Sequence, residues 1–102
     1  MLAWQHFREV RDGSLSADAA NLTDAAGTRY DCVAAWAQSQ GIGATKERSV
    51  ILKFNYHGKE VLVVTGANQI RVDGQWKSIG GYAMEVNNKI FVPRNGFFAA
   101  LP

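Results

Sequence analysis

Hydrophobic and polar residues alternate with a period of two along the second half of the chain. The alternation runs through residues 50–56 (VILKFNY) and returns at 60–65 (EVLVVT), as is typical of strands with one buried face. Three dipeptides that tolerate positive φ divide these runs, His57-Gly58, Asp73-Gly74 and Asn87-Asn88. Such dipeptides form two-residue hairpin loops. The even spacing predicts an antiparallel meander, in which each strand pairs with its neighbour in the sequence.

Two short helices are predicted beside this sheet. Residues 31–40 (DCVAAWAQSQ) carry one stripe at helical spacing, formed by Val33, Trp36, Ala37 and Gln40. We expect Asp31 to accept hydrogen bonds from the first turn and Gly41 to end the helix. A second helix is expected at about 95–101, because Pro93 cannot donate to a ladder and so marks the end of the preceding strand.

The N-terminal part of the chain is less regular. Residues 3–10 alternate loosely and predict a strand that ends near Asp12-Gly13, whereas residues 14–26 fit a helix, a loop or a weak strand equally well. A chain of 102 residues is the length of one domain. The sequence therefore predicts a single α+β domain over 1–102: a meander of about five strands, a helix before it, a short helix after it, and an N-terminal strand.

Charge and composition argue against several classes of function. The net charge is only +2, and the 11 Lys and Arg residues never run together, whereas nucleic-acid binders concentrate positive charge on one face. No apolar stretch approaches the ~20 residues that cross a bilayer, and the N-terminus lacks the pattern of a signal peptide. We therefore expect no nucleic acid, no membrane span and no signal peptide in this chain.

Residues that carry chemistry are few. His6 and His57 lie far apart in the sequence, without the spacing of a metal site, so no metal or other cofactor is predicted. Cys32 is the only cysteine. It lies at the predicted start of a helix, where the dipole lowers a thiol pKa, which favours a thiol-dependent enzyme. Most lone cysteines are buried, inert side chains, so we expect no enzyme.

The aromatic residues offer the best candidates for binding. Five are predicted to lie in the core: Trp36, Phe54, Phe91, Phe97 and Phe98. For Trp4, Trp76 and Tyr82 two interpretations stay open. They either close the core against the helices or lie exposed, where Trp76 and Tyr82, with Lys77, would stack on sugar rings or anchor a protein partner.

The order of these elements is similar to that of a known family. Four features carry the resemblance: Thr28-Arg29-Tyr30, the helix to Gly41, Val72-Asp73-Gly74, and the segment from Asn88 to Pro93. They resemble the N-terminal stalk domain of copper amine oxidases and its relatives in bacterial surface proteins. The match covers residues 27–101 and leaves 1–26 as an extension. The chain departs from the family pattern at Asp31 and after Pro93.

The resemblance implies an antiparallel meander packed on helices, with no copper. It also implies a location in the cell envelope or outside the cell, as a binding or spacer module for cell-wall glycan or another protein domain. A second hypothesis from the sequence is self-assembly or protein binding through an exposed edge strand, which would make the chain a homo-oligomer. An enzyme using Cys32 is the third.

Overall fold

The fold consists of two antiparallel sheets and two short helices. The computed structural model describes residues 21–48 and 50–102. In chain order the elements are β1 (Asn21–Thr23), β2 (Arg29–Cys32), α1 (Val33–Ser39), β3 (Ala44–Glu47), β4 (Ile51–Tyr56), β5 (Lys59–Val64), β6 (Gln69–Val72), β7 (Gln75–Ser78), β8 (Met84–Val86), β9 (Lys89–Pro93) and α2 (Arg94–Ala100). The predicted α+β class is confirmed.

The predicted meander is confirmed only as far as β7: β8 and β9, which the prediction placed in the same meander, belong to a second sheet. The strands before β8 form, with β3, the larger sheet. Its five strands follow one another in the order β3-β4-β5-β6-β7, and every pair is antiparallel. A second sheet of four strands, in the order β1-β2-β9-β8, was not predicted. It forms because β9 pairs with β2 far back in the sequence, with Tyr30 opposite Pro93 and Cys32 opposite Phe91. Such long-range pairing leaves no local signal in a sequence.

All three predicted hairpin turns are confirmed. In each dipeptide both residues have positive φ: His57 at 52° and Gly58 at 78°, Asp73 at 51° and Gly74 at 88°, and Asn87 at 54° and Asn88 at 65°. This is the geometry of turns whose twist matches the twist of the flanking strands. The turns therefore fix the registers of β4–β5, β6–β7 and β8–β9.

Helix α1 is shorter than predicted, and its start was wrong. Asp31 belongs to β2, and Cys32 occupies the position before the helix without a capping side-chain bond. The pairing of β2 with β9 extends the chain through Asp31, which overrides its preference for a cap. The predicted end is confirmed: Gly41 has φ 72°, and Ile42 N donates to Ala37 O at 2.8 Å. This bond across the last turn closes the helix.

Helix α2 follows Pro93 directly, close to its predicted position. It approaches the connection between β7 and β8 so closely that a Cβ atom on Gly96 would overlap the carbonyl oxygen of Ile79. Gly80, with φ 79°, turns the chain there from the larger sheet towards the smaller one. A glycine on each side permits this contact between a helix and a loop.

The core divides into two clusters. The larger lies on the inner face of the meander and includes Leu52, Phe54, Val61, Val63, Ile70, Val72, Ile90, Val92 and Phe97. The smaller contains Leu22, Tyr30, Cys32, Val86 and Phe91. Alternate residues of β9 enter different clusters, which explains why the run from Ile90 to Val92 is apolar without a break. Burial and the charge of Asp24 raise the pKa of Tyr30.

The predicted aromatic core is mostly confirmed. Phe54, Phe91 and Phe97 are buried, whereas Trp36 and Phe98 are half-buried at the edge of the larger cluster. The Trp36 ring centroid lies within 6 Å of four other rings, at 5.7 Å from Phe54, 5.4 Å from Tyr56, 5.5 Å from Phe97 and 5.7 Å from Phe98. The predicted strand at 3–10, with Trp4 and His6, lies outside the described residues.

Candidate functional site

The outer face of the meander, opposite the larger core cluster, carries the most exposed tryptophan of the described chain. The strand registers align Thr45, Lys53, Leu62, Arg71 and Trp76 in one row across the five strands. Partners directly opposite each other in a sheet point to the same side. We call this row and its neighbours on the same side the Trp76 face.

Trp76 itself is well placed to bind. Its side chain is 51% exposed, so the interpretation in which it closes the core is wrong. The Asp73-Gly74 turn sets Arg71 directly opposite Trp76, two residues to either side of the turn. The next residue in the row, Leu62, is half-buried. The registers therefore place an indole ring, a guanidinium group and an apolar side chain next to one another on one face of the sheet.

Charged side chains lie further along this face, on the strands beyond Leu62. Lys53 lies in the same row, and its Nζ is 3.1 Å from Glu47 Oε2. The hydrogen bond from Lys53 to Glu47, together with the negative charges of Glu47 and Glu60, raises the pKa of the lysine. Lys53 therefore stays charged at neutral pH. The Trp76 face therefore carries an indole ring on its edge strand, and hydrogen-bond donors and acceptors on the other strands.

Lys77 lies on the other side of the strand. Its cross-strand partner is Ile70, which is completely buried in the larger core cluster. Consecutive residues of a strand point to opposite faces, so Lys77 and Trp76 do not share a surface. Lys77 instead lines a shallow pocket of about 320 Å³ at the rim of the inner face, together with Lys59, Asp73 and Gln75.

Tyr82 is exposed but lies apart from Trp76. It is 53% exposed and belongs to the loop between β7 and β8. The next residue, Ala83, holds this loop to the β5–β6 connection by two backbone bonds of 2.8 Å, with Gly66 and Ala67. Within the described ranges no ring contact joins Trp76 and Tyr82. The structure does not bring Trp76, Tyr82 and Lys77 together into one site.

The outer edge of β7 adds a second feature. Ile79 N donates to Asn68 O at 3.1 Å, and Asp73 N donates to Glu60 O at 2.8 Å. Backbone groups alternate sides along a strand, so Lys77 bonds towards β6, whereas Trp76 and Ser78 point their N–H and C=O groups away from it. β7 ends the five-strand order, and all four of its residues are exposed.

The thiol and histidine candidates occupy unrelated places. Cys32 is 1% exposed and lies within the smaller core cluster. His57 is exposed in its hairpin turn, where its ring stacks on Tyr56 and Nδ1 lies 3.1 Å from Pro102 O. Across residues 21–48 and 50–102, no three His, Cys, Asp or Glu side chains are grouped to hold a metal ion.

Reasoning from the sequence missed two partners of Trp76. Arg71 was available from the turn itself, since a two-residue loop at Asp73-Gly74 pairs the residues that flank it symmetrically. Leu62 needed the register of β5 and β6, which have no such tight turn between them. The position of Arg71 opposite Trp76 could thus be predicted from the sequence. The position of Leu62 could not, because it depends on the connection between β5 and β6.

Comparisons with known proteins do not assign the chain to a family. No family model matches the chain, no curated protein resembles it significantly, and no solved structure shares its fold at a significant level. The resemblance of residues 27–101 to the stalk domain of copper amine oxidases therefore stays a prediction. None of the helices in the described chain has the length and apolar character needed to cross a membrane.

Proposed function

We propose that this chain is a non-catalytic binding module of the bacterial cell envelope and that the Trp76 face binds cell-wall glycan. The observation that carries the proposal is the 51% exposed indole of Trp76, which lies on the face of the meander opposite the larger core cluster. A large aromatic side chain at such a position has no part in the core. Exposed tryptophans of this kind commonly serve as contact residues in interfaces.

The chemistry of the face fits a sugar ring. The apolar C–H face of a pyranose packs on an indole, and its hydroxyl groups need donors and acceptors at the ring edge. Arg71 supplies donors beside Trp76, and further along the sheet the Lys53–Glu47 pair supplies both kinds of group. A sheet face with an indole at one edge and polar groups on the neighbouring strands offers both interactions.

Replacing the indole tests the proposal. We expect Trp76→Ala to weaken binding to purified cell-wall sacculi about tenfold or more, because a central aromatic contact contributes at least ~1.4 kcal/mol. The fold should persist, with the unfolding free energy within about 0.5 kcal/mol of the wild type, since the side chain is exposed. Sedimentation of the protein with sacculi measures the first quantity, and urea unfolding measures the second.

Two control variants sharpen this experiment. Val50→Ala removes another exposed apolar side chain, 41% exposed, from a turn beyond the strands of the face, and should leave binding unchanged. Lys77→Ala removes a charge from the opposite side of β7 and should also bind as the wild type does. Wild-type binding by Trp76→Ala would refute the proposal.

A second candidate function is assembly through β7. The observation that favours it is the edge position of β7, which pairs only with β6 among the described strands, so that Trp76 and Ser78 present N–H and C=O groups away from β6. An exposed edge of this kind pairs readily with a strand of another chain. A second copy adding its own β7 in antiparallel orientation would extend the sheet across a two-fold axis.

Ser78→Pro tests this assembly without touching the tryptophan. Proline removes the N–H that points away from β6 and leaves the bonds of the hairpin in place. We expect the wild type to form dimers with rising concentration in analytical ultracentrifugation, and Ser78→Pro to remain a monomer. Ser78→Ala is the matched control: it removes only the hydroxyl, which accepts a 3.3 Å bond from Gly80 N, and should dimerise. A monomeric wild type at all concentrations would refute assembly.

A further inference from the structure

A second pocket lies where β2, α1 and α2 meet, away from the Trp76 face. It has a volume of about 240 Å³, and its polar lining includes Arg29, Asp31 and Arg94, while Trp36 and Phe98 supply an aromatic wall. Neither the resemblance nor the proposed function gives this pocket a role. Its charge and geometry point to a ligand.

The centre of the pocket is the carboxylate of Asp31. Asp31 is the one buried charged residue of the described chain, at 9% exposure. Arg29 Nε donates to Oδ1 at 2.9 Å, and Arg94 Nε lies 3.9 Å from Oδ2. A buried carboxylate needs such partners. Two guanidinium groups nevertheless face one carboxylate, so the cluster keeps one positive charge in excess.

Both arginines keep their terminal nitrogens free. Each approaches Asp31 through Nε, and across the described chain neither guanidinium makes another hydrogen bond or ion pair to the protein. The side chains of Arg29 and Arg94 are 49% and 40% exposed, so a ligand can reach them. The guanidinium carbon of Arg94 also lies 5.7 Å from the centroid of the Phe98 ring. Contacts on two sides orient this group before any ligand arrives.

We propose that this pocket binds a ligand carrying a single carboxylate next to a flat apolar group. The planar forks of Arg29 and Arg94 match the two oxygens of a carboxylate. One negative charge balances the excess charge of the cluster. The apolar part of the ligand packs against Trp36 and Phe98, whose ring centroids lie 5.7 Å apart. The proposal does not depend on glycan binding at the Trp76 face.

Nuclear magnetic resonance on the full chain tests this directly. Benzoate is the probe, and it is titrated at constant ionic strength while the Nε–Hε signals of Arg29 and Arg94 are followed. We expect saturable shifts of both signals. Acetate, which lacks the apolar ring, should bind about tenfold more weakly, and inorganic phosphate should bind more weakly than benzoate. Absence of saturable shifts with benzoate, or tighter binding of phosphate, would overturn the proposal.

Three variants test whether benzoate binds in this pocket or is attracted to any exposed arginine. Arg94→Gln should weaken benzoate binding about tenfold or more, and Arg94→Lys should lose most of it as well, since lysine keeps the charge but lacks the fork. Arg71→Gln removes an exposed arginine that does not line this pocket and should leave benzoate binding unchanged. If Arg94→Gln does not fold, as judged by circular dichroism, Arg29→Gln replaces it. Equal loss in Arg71→Gln would overturn the proposal.

Discussion

At the scale of single residues, Gly96 shows how closely the parts of this molecule approach one another. It is a helical residue whose Cβ position is occupied by the carbonyl oxygen of Ile79. The contact involves backbone on the loop side, so no flexible side chain can yield to relieve it. Gly96 therefore sets the distance between α2 and the β7–β8 connection.

We expect Gly96→Ala to lower the unfolding free energy by about 1–3 kcal/mol, because forcing atoms into a packed interior costs that much. Gly43→Ala is the matched control. Gly43 has no positive φ and no atom within 4 Å of its Cβ position, so alanine there should be neutral or stabilise by up to about 1 kcal/mol. Urea unfolding measures both, and equal stability of the two variants would contradict the packing argument.

The role of Asp31 could not be predicted from its place in the sequence. An aspartate before a helical stripe predicts a cap, and the helix does begin nearby, at Val33. The carboxylate instead pairs with Arg29, two residues before it, and Arg94, sixty-three positions after it. No pattern in the sequence connects Asp31 with Arg94, since their proximity depends on the ladder between β2 and β9. The pocket for the carboxylate ligand was therefore beyond sequence reasoning.

At the scale of elements, the hairpins were the most predictable parts. A two-residue turn with positive φ demands residues of a few types, and this demand is met within the dipeptide itself. Strand β3 was not predicted, because its sequence ATKE has no buried residue to give a pattern. It is a strand only because β4 pairs with it. Elements specified by their own residues were found, and those specified by neighbours were missed.

Exchanging the residue types at the second position of two of these turns should change stability in opposite directions. Asn88 occupies at φ 65° the place that Gly74 occupies at 88°. Glycine tolerates this conformation better, so Asn88→Gly should raise the unfolding free energy by about 0.5 kcal/mol. Gly74→Asn should lower it by a similar amount, since no atom lies near its Cβ position. Urea unfolding measures both, and shifts in the same direction would show that another effect dominates.

At the scale of the whole molecule, the two sheets share one main core. Ile90 and Val92 of β9 pack in the same cluster as the inner face of the meander. On the outside, Lys46 of β3 joins the sheets again, with Nζ 2.7 Å from Asn88 O and 3.9 Å from Glu85 Oε2. The sequence predicted the meander and both helices but only one sheet, because a second sheet needs a pairing between distant segments.

The ladder between β2 and β9 has a consequence for how the molecule opens and closes. Its partners lie about 60 residues apart, so forming it closes a long loop at an entropic cost that the neighbour pairings of the meander avoid. The ladder thus joins two distant parts of the chain, whereas the strand pairs of the meander are local in sequence. We expect local unfolding that breaks this ladder to separate Arg94 from Asp31 and so to remove the arginine pocket. The ladder bonds that align Arg71 with Trp76 lie wholly within the meander, so we expect them to persist in such an opening.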